Sequence, residues 1–279
     1  MLYDLHCHST ASDGKLSPQD LCARAIANGV THLAITDHDT LAGWQSFSQL
    51  PADISLISGI EYSCVWSGMT IHIVGLGFDP SHAVMQSGLA IQADARDKRS
   101  LIIAERLEKL GFKGAFAAAR EYAGVNQIGR PHFARFLLEK NHVNSINQAF
   151  DRYLGAGKPG DVKALWPELE MAVHWITESG GIAVLAHPAR YKMTNMKLRR
   201  LIMAFKAAGG SAMEVVSGSQ SRHVTSHMAQ LCDDYDLLAS QGSDFHGPGS
   251  PWQELGRFDE LPKRCRPVWE QLPMLELGA

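Results

Sequence analysis

The chain has 279 residues, 45% of them hydrophobic and 20% charged, enough for one large barrel or sandwich or for two modest domains. A formal net charge of −3 excludes a global basic field for nucleic acid, so any polyanion must be held by a local site. Five cysteines (Cys7, Cys22, Cys64, Cys232 and Cys265), odd in number and without a C-x-x-C pair, exclude a complete disulfide framework and fit free thiols in a reducing compartment, with the cytoplasm as the expected location. The chain enters its first strand at Leu2 without a signal-like segment, and no later apolar run is long enough to span a bilayer.

In chain order, "LYDLHCH" reads as a strand and "LSPQDLCARAIANG" as a helix. Ser17 is its natural N-cap, Pro18 fits the first helical position, and Gly29 stands where a left-handed residue belongs. "THLAITDHD" follows as a second strand, which makes a parallel βα unit. "ISLISGIEY", "MTIHIVGLGF", "GIAVLAHP", "SAMEVVSG" and "LLASQGSDFH" are further strands, with helices such as "MKLRRLIMAFKAAGG" between the later ones. From Ala83 to Gly160 the pattern changes to helix after helix: "AVMQSGLAIQADARDKRSLIIAERLEKLG", "GAFAAAREYAG", "RPHFARFLLEKN" and "SINQAFDRYLG". The expected organisation is therefore α/β: a barrel made of residues 1–82 and 161–279, interrupted by a small helical insertion over 83–160 that ends in the loop "GAGKPGDVK".

Side chains alternate across a strand, so Asp4, His6 and His8 are expected on one face and Tyr3, Leu5 and Cys7 on the other. Thr36 with His38, Gly59 with Glu61, Thr70 with His72, Leu185 with His187, and Gly242 with Asp244 and His246 repeat the arrangement, each ionisable residue at or near the carboxyl end of its strand. In a parallel barrel those ends converge on one mouth. Six imidazoles with Asp13, Glu61 and Asp244 are a mixed nitrogen and oxygen donor set that suits Zn, Mn or Fe, whereas an all-oxygen shell would suit Mg or Ca. Nine donors exceed the needs of one ion, but two or three ions bridged by a carboxylate use them, as multinuclear centres for phosphoester hydrolysis do. A single strand-end histidine is usually structural; the same coincidence over six strands is not. His32, His82, His142, His174, His223 and His227 lack matching partners and read as structural or exposed.

The pieces "DLHCHST" with "SDG", "ITDHDT", "GIEYS", "IHIVGLGF", "LAHP" and "GSDFH", in this order, resemble the PHP family, the polymerase-and-histidinol-phosphatase metallohydrolases. The resemblance implies a distorted (β/α)7 barrel with three divalent metals, Mn2+ by expectation and Zn or Fe as alternatives. It implies one ion held by His6, His8, Glu61 and Asp244. A second is implied at Glu61, as the bridge, with His72 and His187, and a third at Asp13, His38 and His246. Of these, Asp13, His38, Glu61, Asp244 and His246 are the implied catalytic residues. Asp4, and Asp37 or Asp39 beside His38, read equally as carboxylates that orient imidazoles and as ordinary acids.

Within that family, "IGRPHFARFL", "GGIAVLAHPARY" and "GSDFHGP" with "ELGR" are similar to stand-alone nucleoside 3′,5′-bisphosphate phosphatases, a subgroup that includes a bacterial 5′→3′ exoribonuclease maturing ribosomal RNA 5′ ends. The implied substrates are nucleoside 3′,5′-bisphosphates and 5′-monophosphorylated RNA, with no membrane or obligate protein partner. One phosphate then meets the metals while a second needs cations, which the insertion carries in "ARDKRS" and "GRPH". Arg99 with Ser100, and Arg130 with His132 at a helix start, are the expected 5′-phosphate residues, and Arg190 is a third candidate. Arg96, Lys98 and Arg99 read equally well as a solvated helix face. Phe112, Phe116, Phe133 and Phe136 read as helix core rather than as a base-stacking platform. Three rival readings stand beside this one: a histidinol-phosphate phosphatase, an amidohydrolase bridged by a modified lysine, and an inert PHP module that scaffolds a polymerase.

Overall fold

The computed structural model describes residues 1–163, 165–249 and 252–272. It divides into two compact units, Met1–Leu89 with Pro167–Ala279 and Ala90–Trp166. The first unit opens with β1 (Tyr3–Cys7), α1 (Pro18–Ala27), β2 (His32–Ile35), α2 (Ala42–Gln45), β3 (Ser55–Ile57), β4 (Gly59–Trp66) and β5 (Met69–Leu76). The long α3 (Ala83–Lys109) carries the chain into the second unit, where α4 (Ala115–Ala123), α5 (Arg130–Glu139) and α6 (Ile146–Ala149) follow. The first unit then resumes with α7 (Leu169–Glu178), β6 (Ile182–Leu185), α8 (Asn195–Ala207), β7 (Ala212–Ser217), α9 (Arg222–Asp234) and β8 (Leu238–Gly242).

Local chemistry sets the ends of α1 as the sequence predicts. The Ser17 hydroxyl accepts the Asp20 N–H at 3.1 Å, Pro18 occupies the first turn, and Gly29 takes a φ of 83° just beyond the helix.

The strands of the first unit close into a ring. β1, β2 and β3 are parallel, and so are β6, β7 and β8. β3 and β4 keep one register against the β2 segment, Ala34 facing Ile57 and His38 facing Glu61, so "ISLISGIEY" behaves as a single run interrupted at Ser58. At the other edge Cys7 bridges Phe245, the His8 N–H donates to Phe245 O at 2.9 Å, and the Asp244 N–H donates to His6 O at 2.8 Å. The last strand is thereby joined to the first.

Two details differ from the sequence expectation. β5 runs antiparallel to both β4 and β6. The turn between β4 and β5 is only Ser67 and Gly68, both at positive φ, and a two-residue connection permits nothing but an antiparallel pair. Glu61 and His72 consequently lie within a hairpin rather than at carboxyl ends. The second departure is in β1, whose register against β2 shifts between Asp4 and Cys7. Leu5 packs into the barrel interior and His6 follows it there, while Asp4 turns to accept the N–H groups of Ser243 at 2.8 Å and Gly256 at 3.0 Å. Asp4 is not among the carboxylates that touch the imidazoles.

Leu5, Ala34, Val74, Val184, Ala212 and Leu238, one residue from nearly every strand of the ring, fill its floor. The next inward-facing positions along β5 and β7 are His72 and Glu214, so a polar layer sits directly on an apolar one. In the second unit the apolar core includes Ile103, Leu107, Phe133 and Phe136, with Phe112 and Phe116 packed against it, as core aromatics should be. Among the described residues no helix is long and apolar enough to cross a membrane, and all five cysteines are buried free thiols.

Candidate metal centre

Every histidine and carboxylate that the sequence assigns to the mouth converges on one cluster. His6 and His8 are fully buried on the end of β1, and their Nε2 atoms are 3.1 Å apart. Glu61 Oε2 lies 3.3 Å from each of them, and Asp244 Oδ1 lies 3.5 Å from His6 Nε2 and 3.4 Å from His8 Nε2. Donors held roughly 2.0–2.1 Å from one tetrahedral ion stand about 3.3–3.4 Å from one another, so His6, His8 and Glu61 are spaced as ligands of one ion, with Asp244 flanking both imidazoles. The other oxygen of Glu61, Oε1, faces a different pair: His187 Nε2 at 2.9 Å and His72 Nδ1 at 3.0 Å. One carboxylate thus directs its two oxygens to two groups of imidazoles.

A third group surrounds Asp13, with His246 Nε2 at 3.5 Å, His8 Nδ1 at 3.8 Å and His38 Nε2 at 3.9 Å. His8, Asp13, His38 and His246 together can present donor atoms to one ion, as can His6 with His8 and Glu61, and His38 with Glu61 and His72. His38 is shared in this arrangement, because its Nδ1 also lies 3.0 Å from Glu61 Oε2.

The donor chemistry fits divalent cations. Nδ1 of His8 and of His187 are buried ring nitrogens without a hydrogen-bond partner among the described residues, a costly arrangement for a polar atom unless something electrophilic is nearby. Burial opposes charge on Glu61, but His38, His6 and His72 outweigh it and hold the carboxyl well below its usual range; Asp244 is held down likewise by His246, His8, His6 and Arg190. Burial also opposes charge on His8, yet the Asp244, Glu61 and Asp13 carboxylates push it up to about 10. On His72 burial prevails, pushing it down to about 4. The carboxylates are therefore ionised and the cluster attracts positive charge, which metal ions supply in place of protons.

The supports around the donors include one residue that the sequence reading missed. Glu214, buried in the middle of β7, lies 2.6 Å from His6 Nδ1 through Oε1 and accepts the His187 N–H at 2.6 Å through Oε2. It fixes His6 so that Nε2 faces the cage, and it pins His187 in a left-handed conformation at φ 31°. The signal was present in "SAMEVVSG": a lone acid among apolar residues on a buried strand has to be satisfied by something inside the barrel. Tyr191 contributes too, its hydroxyl oxygen accepting the His72 N–H at 2.9 Å.

Asp37 and Asp39 both hold backbone groups of neighbouring segments. Asp37 accepts the Ser9 N–H at 2.8 Å and the hydroxyls of Ser9 and Ser12, both at 2.6 Å, which folds the segment carrying Asp13 back over the mouth. Asp39 accepts the Ser63 N–H at 2.6 Å. Arg190 donates to Asp244 Oδ2 and to Ser217 O, and Gln253 donates to Asp244 O at 2.8 Å and to Oδ2 at 3.1 Å.

The remaining expected residues belong to the second unit. Arg99 is buried, donating from Nε to Val162 O at 2.9 Å with its guanidinium 5.0 Å over the Trp166 ring, where Arg96 also stacks. Of the three cations in "ARDKR", Lys98 alone fits a solvated face, paired with Asp94. Ser100 donates to Asp97 O at 2.7 Å. Arg130 and His132 open α5 as expected, Arg130 donating to Leu154 O at 3.2 Å and His132 Nδ1 accepting the Gly129 N–H at 2.9 Å.

The chain is similar to known proteins along nearly its whole length. A 5′-3′ exoribonuclease of Haemophilus influenzae is 45% identical over 271 residues, covering 96% of this chain and 98% of that protein. A 3′,5′-nucleoside bisphosphate phosphatase of Chromobacterium violaceum is 41% identical over 272 residues, 96% of this chain and 95% of that protein. A solved structure of an amidohydrolase from Chromobacterium violaceum, with bound sulfate and no metal, matches with a TM-score of 0.89 and 40% identity over 98% of this chain and 96% of that one. The PHP domain model matches residues 4–162, a span that contains the donors from His6 to His72. With a family model covering more than half of its length and relatives matched nearly end to end, the chain belongs to the PHP-domain family.

Proposed function

We propose that the chain is a metal-dependent phosphohydrolase that removes the 3′-phosphate of nucleoside 3′,5′-bisphosphates and acts as a 5′→3′ exoribonuclease on 5′-monophosphorylated RNA, in the cytoplasm. The observation that carries this reading is the division of Glu61, with His6, His8 and His38 on one oxygen and His72 and His187 on the other. Such a carboxylate suits a bridge between ions, and paired ions clamp the attacking and leaving oxygens of an in-line phosphoryl displacement. The names of the H. influenzae and C. violaceum relatives supply the substrate classes.

In this reading His6, His8, Glu61 and Asp244 hold one ion, Glu61 with His72 and His187 a second, and Asp13, His38 and His246 a third, Mn2+ being the expected metal. When bound, such ions supply Lewis acidity and lower the pKa of water towards neutrality. The protein's part is to fix the donors: Glu214 orients His6, Arg190 and Gln253 steady Asp244, and the serine clamp of Asp37 presents Asp13. His246, 34% exposed at its side chain, lies at the entrance where substrate arrives. The helical unit is an insertion in the barrel, and its Arg99, Ser100, Arg130 and His132 read the 5′-phosphate, a dianion that calls for guanidinium and N–H donors.

The test is an assay of the purified, Mn2+-supplemented protein against adenosine 3′,5′-bisphosphate, histidinol phosphate and 5′-monophosphorylated RNA. Release of phosphate from the first and of mononucleotides from the third, with histidinol phosphate left intact, is the expected result. Hydrolysis of histidinol phosphate alone would replace this reading with its rival.

A further inference from the structure

Beside the metal centre, and wholly within the first unit, lies a cavity of about 410 Å³ lined by Arg190, Ser217, Ser219, Gln220, Trp252 and Gln253, among others. Its volume is within the range of small-molecule sites, roughly 300–1,000 Å³. Two of its walls are also supports of the cluster. Arg190 and Gln253 both hold Asp244 Oδ2, while Asp244 Oδ1 lies 3.4 Å from His8 Nε2. The cavity therefore begins one side chain away from the donor cage.

Its lining has a distinct chemistry. Hydroxyls, carboxamides and one guanidinium face it beside the apolar Ala189 and Val224, and among the described residues no carboxylate does. Such a surface offers hydrogen bonds to sugar hydroxyls and base edges and tolerates a phosphodiester. At its rim Trp252 is 67% exposed, a large aromatic surface left in water. Its backbone is anchored, because Trp252 O accepts the Ser219 N–H at 2.7 Å. An exposed indole on a fixed backbone, next to a phosphoester centre, is a platform on which a base can stack whatever its identity.

We infer that this cavity receives the second nucleotide of the RNA substrate, the nucleoside joined through its 5′-oxygen to the attacked phosphorus, with its base on Trp252. The inference rests on the phosphoesterase reading above. In the exonucleolytic step water adds to that phosphorus, the bond from phosphorus to the 3′-oxygen of the first nucleotide breaks, and this oxygen takes a proton from the water. The products are a 5′-mononucleotide and a chain one nucleotide shorter with a new 5′-phosphate. A nucleoside 3′,5′-bisphosphate carries nothing beyond the attacked phosphate and leaves the cavity empty. The cavity is thus where RNA and free bisphosphate are told apart.

The experiment compares kcat/KM for adenosine 3′,5′-bisphosphate and for the 5′-phosphorylated dinucleotide pApA in wild-type protein, Trp252→Ala and Trp252→Phe, all supplied with Mn2+. In Trp252→Ala the ratio of dinucleotide to bisphosphate activity is expected to fall roughly 5- to 150-fold, the range of one lost base stack. Trp252→Phe, which keeps an aromatic face, should recover most of the ratio. A dinucleotide with an abasic second residue should give wild type the ratio that Trp252→Ala has with pApA. An unchanged ratio, whether neither rate falls or both fall together, overturns the inference while leaving the phosphoesterase reading in place. A wild-type enzyme inert towards both substrates overturns that reading and the inference with it.

Discussion

Oε1 of Glu214 lies 2.6 Å from Nδ1 of His6, between two residues that are both fully enclosed in the barrel. Because the same carboxylate also accepts the His187 N–H, it touches residues of both groups that meet at Glu61. Glu214→Ala should lower metal affinity roughly 10- to 100-fold, the usual effect of losing a carboxylate behind a metal-bound histidine. Glu214→Gln keeps the shape and one acceptor, so it should fall between alanine and wild type. Metal titration followed calorimetrically checks this; equal affinities in all three proteins would show that His6 is held by packing alone.

Much of this site was legible in the sequence, and the exceptions have physical causes. The candidate donors are recognisable because imidazoles and acids recur on strand after strand, a coincidence that a separate structural role for each does not explain. Asp4 was misplaced because strict alternation assumes an unbroken ladder, and the bulge in β1 turns Asp4 to the Ser243 and Gly256 amides. Glu214 was overlooked since its strand shows one acid and no histidine, so that only its burial reveals a partner. The direction of β5 was readable in principle from the brevity of "SG" between two strands, yet the β/α rhythm elsewhere favoured a parallel assignment.

Removing the bridge should cost more than removing a terminal ligand. Glu61→Ala deletes both oxygens that face the imidazole groups, so it should lose more than one equivalent of bound metal and abolish turnover. His72→Ala should lose metal from one group only. Elemental analysis of the purified variants distinguishes these outcomes, and a Glu61→Ala protein with full metal content and normal activity contradicts the bridging role.

Recognition of the 5′-phosphate should be separable from metal binding. Arg130→Ala should keep its full metal content while kcat/KM for 5′-monophosphorylated substrates falls roughly 10- to 100-fold, through KM, as expected for a charged hydrogen bond worth about 1.5–3 kcal/mol. Wild-type protein should degrade 5′-hydroxyl RNA poorly. If 5′-hydroxyl and 5′-monophosphate RNA disappear equally fast and Arg130→Ala alters neither, the helical unit does not read the 5′ end.

Gly242 marks the place where β8 comes closest to His6. A Cβ there would stand 2.5 Å from His6 Cβ and 2.7 Å from His6 N, so backbone would have to move. Gly242→Ala should destabilise the fold by roughly 1–3 kcal/mol through overpacking and weaken metal binding by displacing His6. Chemical denaturation in the presence of chelator measures the first effect, and metal titration the second. A variant as stable as wild type that binds metal normally would mean that the two strands separate at little cost.

The seam that joins β8 to β1 also governs when the site can exist. The Ser243 N–H bonds to Asp4 across 239 positions of chain, and Asp244 and His246 arrive at the cluster only along that seam. During synthesis the residues from His6 to His72 leave the ribosome long before these last two donors. Contacts of such separation form slowly, since most of the chain must be ordered before they are made. The growing chain therefore carries an incomplete cage with exposed imidazoles through most of its production, and the full complement of metal is taken up only after the barrel has closed.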